Sequence, residues 1–313
     1  MKPRILIIRG GAIGDFILTL PAIRLVREAF PDAHLEILGY KHIVALAEGR
    51  FYADAAMSIE YGPMAGFFNP RSELDPDLSQ YFASFQQIVS YLYDPDGYFE
   101  ANLRRAGARN VLKAFSAFND DAHAAHQLAR PLQSLALYLD DHAARVHPHE
   151  ADRAAARQFL GEAADHGLVV AIHPGSGGAQ KNWPTDRWVE VAKGVAADFP
   201  EARLLIVGGE ADHEKLDFMA AALSGLQPLV ARDLPLPQLA AVLERCRLFL
   251  GHDSGISHLA AAVGARCLLL FGPTDPEIWG PANAQVQTIQ APEGNLGQLT
   301  VDHVREAVRV MLP

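Results

Sequence analysis

The stretch "GHDSGISHLAAAVGARCLLLFG", residues 251–272, joins an Ala-rich helical segment to an unbroken apolar run. A short run with no polar interruption marks a strand buried on both faces, as in a parallel sheet sandwiched by helices. Asp253, Ser254, Gly255 and His258 stand at the opening of the helix. Polar groups at the buried end of an interior element need partners. Two readings follow. In one, Asp253 or Ser254 caps the helix. In the other, the free N–H groups of the helix end receive an anion, Gly255 allows close approach, and His258 points to the same end. Asp253 would repel a phosphate, so on this second reading it accepts hydrogen bonds from sugar hydroxyls.

The same alternation runs outward along the chain. "RILIIRG" leads into a helix from about Asp15 to Glu28, with "HLEIL" and "IVSYLY" as later strands. In the second half "LVVAIHPG", "RLLIVGG", "RLFLGHD" and "ARCLLLFG" read as strands, with helices near 185–198, 212–223, 236–246 and 255–263. Each half starts afresh with a strand that ends in glycines. The expectation is an α/β protein of two doubly wound, Rossmann-like domains, 1–150 and 151–313. A helix over 149–163 leads into the second. Residues 62–79 lack periodicity and read as a long loop over the first domain. The last helix, 300–311, fits either half, including a return onto the N-terminal domain.

With 313 residues, half of them hydrophobic, the chain is long enough for two sizeable cores. Its net charge is −10 and acids outnumber bases in both halves, which argues against nucleic acid as a partner. The N-terminal apolar run is too short for a secretory leader, and no stretch approaches the roughly 20 apolar residues of a membrane span. Cys246 and Cys267 show no zinc spacing, and a reducing cytoplasm is the simplest setting.

In open parallel sheets, ligands bind beyond the carboxyl ends of the strands. That rule selects "RGGAIGD", "HPGSGGAQKNWP", "VGGEADHE" and "GHDSG". In the second of these, the glycines and Ser176 form a loop whose amides can face an anion, and Lys181 supplies the charge to neutralise a diphosphate. An ordinary surface lysine and a flexible turn are the plainer alternative. "RGGAIGD" fits neither G-x-G-x-x-G nor a Walker A loop, which disfavours dehydrogenases and P-loop NTPases. Asp15 within it is either a helix cap or a general base. The "DPD" triplets at 75–77 and 94–96 suit turns better than a metal site. The histidines at 123–149 have no ligand spacing and read as a solvated face. No G-x-S-x-G elbow supports a hydrolase.

Four ordered motifs together resemble glycosyltransferase family 9, the ADP-heptose:lipopolysaccharide heptosyltransferases. They are "RGGAIGDFILTLPAIRLVREAFPDAHLEIL", "IHPGSGGAQKNWPTDRW", "IVGGEADHE" and "FLGHDSGISHLAAAVGARCLLLFGPTDPEIWGP". The likeness covers nearly the whole chain apart from roughly 60–145. It implies a GT-B architecture, two Rossmann-like domains facing across a cleft, with acceptor on the first and nucleotide sugar on the second. It further implies inverting transfer of heptose, or a related sugar, from an ADP-sugar to a lipopolysaccharide-core or other glycan, with no metal or cofactor beyond the nucleotide-sugar co-substrate. Asp15 matches the family's base, with Gly11, Ala12 and Gly14 on the acceptor side. Ser176, Gly177 and Lys181 match the diphosphate site, and Asp253, Ser254, Gly255 and His258 the donor sugar and phosphate. Glu214, with Glu210 competing, matches a ribose-binding acid, and Leu234 borders the adenine. A cytoplasmic enzyme with peripheral contact to the inner membrane face fits this family.

Departures bear on the substrate. A phosphorylated inner-core acceptor calls for Lys and Arg on the first domain. Here the 62–79 segment sets Arg71 against Glu73, Asp75 and Asp77, and Arg104, Arg105 and Arg109 are the basic cluster. Two other classes stay open from the sequence: a GT-B sugar-nucleotide epimerase and a catalytically silent nucleotide-sugar-binding protein.

Overall fold

The computed structural model describes residues 2–115, 117–119, 121–161 and 167–312. The chain divides into two compact units, Met1–His142 and Ala143–Pro313. The join lies ahead of position 150 because residues 143–149 are already tied to the second unit. Val146 N donates to Ala262 O at 2.9 Å, and Asn283 Nδ2 donates to Ala144 O at 3.0 Å.

In the first unit, β1 (Arg4–Arg9), β2 (His34–Gly39), β3 (Ala55–Ser58), β4 (Gln87–Ser90) and β5 (Val111–Lys113) form a parallel sheet ordered β3-β2-β1-β4-β5. In register, Ile7 faces Ile37 of β2 and Val89 of β4. The central strand "RILIIR" is buried almost throughout, which is why it reads as one apolar run. The helix Ile13–Ala29 follows, buried from Phe16 through Arg24. Glu36 is a buried carboxylate, and it is held by Arg4, by His34 Nε2 at 2.9 Å and by the Tyr81 hydroxyl at 3.0 Å.

The second unit holds β6 (Val169–Ile172), β7 (Arg203–Gly208), β8 (Leu229–Arg232), β9 (Leu248–His252), β10 (Cys267–Phe271) and β11 (Val286–Gln290). Their order is β11-β10-β9-β6-β7-β8, again parallel. Both orders are doubly wound, reversing between β1 and β4 and between β6 and β9. Trp183 and Trp188, both fully buried, meet edge-on at 5.0 Å beneath the second sheet's core.

Four strands carried no sequence signal: β3, β5, β8 and β11. All four are sheet edges and only partly buried, so none needs a continuous apolar run. The 62–79 segment is a correction of another kind. It contains a 3₁₀ turn, Gly62–Phe68, and most of a helix, Pro76–Ala83. Met64, Phe67 and Leu78 anchor it in the first core, too few contacts to register as a period. The helix read over 149–163 runs Glu150–Leu160, and residues 162 and 163 lie outside the described ones.

The closing helix Val301–Met311 belongs to the second unit. Val304, Val308 and Met311 turn into the core shared with helix Thr185–Asp198, while Arg309 pairs with Asp198 at 2.9 Å. Val304 is completely buried. Val304→Ala is expected to cost about 2 kcal/mol, two methylene equivalents plus a partly relaxed cavity. Urea denaturation checks this, and a loss under 0.5 kcal/mol would place the helix elsewhere.

Candidate active site

Both sheets reverse order beside a strand that ends in a glycine-bearing loop, and the polar residues gather there. In the first unit β1 runs into Gly10 and Gly11, and Gly11 turns the chain at φ +92°. A Cβ at Gly11 would lie 2.8 Å from Asp15 Oδ2, so this glycine serves both the turn and the carboxylate. Asp15 is not the N-cap residue, which is Ala12, but the third helical position, whose carboxylate reaches back to that cap. It sits in the first helical turn, and its Oδ2 accepts the Ala12 N–H at 2.9 Å. Its Oδ1 lies 3.6 Å from the Arg9 guanidinium, and the side chain keeps 39% of its surface exposed.

Arg9 is nearly enclosed. Its Nε donates to Thr19 Oγ1 at 2.9 Å and its Nη2 to Asp15 O at 3.2 Å. Burial lowers its pKa from the usual value, while Asp15 and Tyr91 oppose that shift. Burial likewise raises the Tyr91 phenol well above its ordinary range, so it remains a hydrogen-bond donor. Gly11, Asp15, Arg9 and Tyr91 line a pocket of about 520 Å³. Gly14 is half-buried on the same helical turn.

In the second unit the loops after β6, β7, β9 and β10 converge. Ser254 is the helix cap, accepting Ser257 N–H at 3.3 Å ahead of helix Gly255–Ala262. Asp253 therefore has other work: its Oδ2 accepts Lys181 Nζ at 2.5 Å and Thr274 Oγ1 at 2.7 Å. Among the described residues Oδ1 takes no hydrogen bond. Ser176 and Gly177 lie on the partly exposed loop just before Lys181, and Gly255 is half-buried in the first helical turn. His258 is buried one turn into the helix.

Beneath this surface lies a polar layer that the motifs did not single out. Asp212 is buried and accepts from His173 Nε2 at 3.2 Å and from Gly209 N at 3.1 Å. Burial pushes its carboxyl up, yet those two bonds and the Lys215 charge bring it below the usual carboxylate range. An ionised Asp212 fixes the His173 proton on Nε2, so His173 Nδ1 accepts the Ser254 hydroxyl at 3.3 Å. A Cβ on Gly175 would fall 1.7 Å from Asp212 Oδ1, so only glycine fits there.

His252, the last residue of β9, is fully buried. Its Nε2 accepts both Trp183 N at 2.8 Å and Trp188 Nε1 at 3.2 Å, which leaves Nδ1–H to face Gly175 O at 3.4 Å. One neutral imidazole thus closes both ends of the 175–183 loop. Burial pushes its pKa down to about 3.

A family model described as glycosyltransferase family 9 (heptosyltransferase) matches residues 101–306, well over half of the chain. The chain belongs to glycosyltransferase family 9. The lipopolysaccharide heptosyltransferase 1 of Pseudomonas aeruginosa is 27% identical over 295 residues, covering 88% of this chain and 81% of that protein. A solved family 9 glycosyltransferase from Veillonella parvula shares the fold with a TM-score of 0.81 at 19% identity, covering 99% and 97% of the two chains. E. coli ADP-heptose lps heptosyltransferase II matches at 0.77 and 18%, covering 100% and 98%. The two parallel α/β units are thus of GT-B class, and the protein is a glycosyltransferase.

In this family 9 glycosyltransferase, the second unit's residues singled out from the sequence lie at the strand ends, and the buried side chains beneath them were not singled out. Asp212, His173, His252 and Thr274 each follow a buried apolar run directly or by a few residues, which is the signal they offered. Glu210 and Glu214 both stay exposed at the start of helix His213–Ala222, while Asp212 between them turns inward. Leu234 is half-buried just after Asp233, which takes φ +53° and meets His213 Nε2 at 2.7 Å. The first "DPD" triplet opens helix Pro76–Ala83 with Asp75 as its cap, and the second is a turn whose Asp94 accepts from Phe99 N and Glu100 N. His123 and His126 pack on His142, a ring cluster where the sequence suggested a solvated face. Among the described residues no three His, Cys, Asp or Glu side chains are grouped to hold a metal ion.

Folded His252 resists protonation down to about pH 3, whereas the unfolded chain takes that proton near pH 6.5. Its contribution to stability is complete above pH 6.5 and falls toward pH 3, by up to about 1.4 kcal/mol per pH unit. Denaturation of the wild type and His252→Asn at pH 7, 6 and 5 should show their stability difference shrinking toward acid. Parallel profiles would mean that His252 takes its proton as readily in the folded protein as in the unfolded chain.

Proposed function

We propose that this glycosyltransferase moves heptose from ADP-heptose to a lipopolysaccharide-core type glycan, inverting the anomeric centre and using no metal. The observation that carries the reading is the cluster at the second sheet's reversal point. There Lys181, held by Asp253, stands with Thr274 beside the N-terminal end of helix Gly255–Ala262. A cation and free amides at one strand end suit the diphosphate of a nucleotide sugar. The E. coli structural relative is an ADP-heptose lps heptosyltransferase, and the heptose and ADP of this reading come from that likeness.

Inversion in one displacement needs a base on the acceptor side. The Asp15 carboxylate takes the proton of the acceptor hydroxyl as that oxygen attacks the anomeric carbon. The bond from that carbon to the diphosphate oxygen breaks, and ADP departs with its charge. Lys181 and the amides at 176–178 and 254–255 stabilise that growing charge, the role a metal would otherwise fill. Asp253 positions Lys181, and its free Oδ1 accepts a donor hydroxyl. Glu214, or Glu210 beside it, takes the ribose, and Leu234 borders the adenine. No described helix is long and apolar enough to cross a membrane. On this reading the enzyme works in the cytoplasm, reaching a lipid-linked acceptor from the membrane surface.

Calorimetric titration with ADP, UDP, GDP and CMP, with and without magnesium, tests the donor half. ADP should bind best, independently of metal, and Lys181→Ala should weaken it at least about tenfold, one charge-assisted contact. Preference for UDP would overturn the ADP-heptose assignment. Asp15→Ala should keep ADP affinity within twofold while turnover falls by about 10²–10⁴, the range of general-base effects. Unchanged turnover would remove Asp15 from the chemistry.

A further inference from the structure

The first unit's strand-end pocket has an unusual lining for a site expected to meet a charged core glycan. Tyr40, Phe68, Tyr91, Tyr93, Phe115 and Phe118 all border its roughly 520 Å³. Three of these rings are exposed, Tyr93 by 71%, Phe68 by 45% and Tyr40 by 37%. Tyr93 is braced edge-on by Phe115 at 5.2 Å, and Phe68 stacks on Phe99 at 4.8 Å, so the rings are held as fixed faces. Large aromatic faces left open around one pocket mark a binding surface more than a packing need.

The charges point the same way. Among the described lining residues Arg9 is the only cation, facing two carboxylates, Asp15 and Glu60. Its guanidinium is 8% exposed and already engaged by Thr19 Oγ1, Asp15 O and the Asp15 carboxylate. Of the basic residues noted in the sequence, Arg104 pairs with Glu100 and Arg105 donates to Asn102 Oδ1 and Ser72 O. Neither these two nor Arg71 and Arg109 line the pocket.

We infer that this pocket takes an uncharged sugar ring, stacked on the aromatic faces, rather than a ring bearing phosphate or carboxylate beside its attacking hydroxyl. The inference rests on the glycosyl-transfer reading, which places the acceptor at Asp15. The negative face of an aromatic ring attracts the polarised C–H groups on one side of a pyranose and repels an anion. An anionic ring here would also meet Asp15 and Glu60 without a free cation to replace its hydration. The ring hydroxyls have partners in the Tyr91 phenol, Glu60 and Asp15. Tyr93 is the specificity residue, because it offers the most open face.

The test uses ADP-heptose with one methyl heptopyranoside, supplied with and without a phosphate on the carbon next to the acceptor hydroxyl. The neutral glycoside should have a kcat/KM at least about tenfold higher. Tyr93→Ala should raise its KM about fivefold or more with donor KM unchanged, and Tyr93→Phe should restore it, since stacking does not need the hydroxyl. Glu60→Lys should narrow the preference against the phosphorylated glycoside. Equal or better use of the phosphorylated glycoside, or an unchanged acceptor KM in Tyr93→Ala, would overturn the inference. If neither glycoside reacts while Lys181-dependent ADP binding persists, the acceptor assignment fails and the donor reading stands. Loss of ADP binding as well would bring down both.

Discussion

The second unit's site hangs on one buried carboxylate. Asp212 sits after β7, yet it holds His173 from the end of β6, and through His173 it fixes the hydroxyl of Ser254 after β9. Three strand-end loops are thereby set in one register by two hydrogen bonds. Such a buried charge is costly unless every lone pair facing inward is met. Here the Gly209 amide and the Lys215 ammonium complete the set. The same carboxylate explains Gly175, because Asp212 Oδ1 occupies the space where any side chain would begin.

His252 does for the loop what Asp212 does for the strand ends. An imidazole that accepts two N–H groups on one nitrogen and donates with the other can do so only when neutral. Burial enforces that state, so the bridge between Gly175 and Trp183 survives ordinary changes of pH. The loop it brackets carries Ser176, Gly177 and Lys181. A flexible glycine loop would pay ordering entropy when a ligand arrived. This one is tied at both ends beforehand.

The two reversal points carry opposite chemistry on the same plan. The first unit presents a carboxylate, a spent guanidinium and open aromatic faces. The second presents an ammonium, small hydroxyls and a helix end. Parallel sheets offer this because strand-end loops on either side of the reversal diverge and leave a crevice. What lines the crevice is set by the loops alone, so one architecture can present a carboxylate at one reversal point and an ammonium at the other.

The sequence by itself determined the class and the central elements. Strands buried on both faces must be written as apolar runs, and glycines and polar residues collect where those runs end. That made β1, β6, β7, β9 and β10 legible, with Asp15, Lys181, Asp253 and Ser254 at their tips. Edge strands half-open to solvent carry no such constraint, and β3, β5, β8 and β11 were silent for that reason. Tertiary structure alone decided that Asp212, rather than Glu210 or Glu214, turns inward, that Ser254 and not Asp253 caps the helix, and that Lys181 and Asp253 hold each other. These pairings join residues 72, 81 and 39 positions apart. Spacing along a chain encodes periodicity within one element; contacts between loops depend on how whole strands are ordered in the sheet.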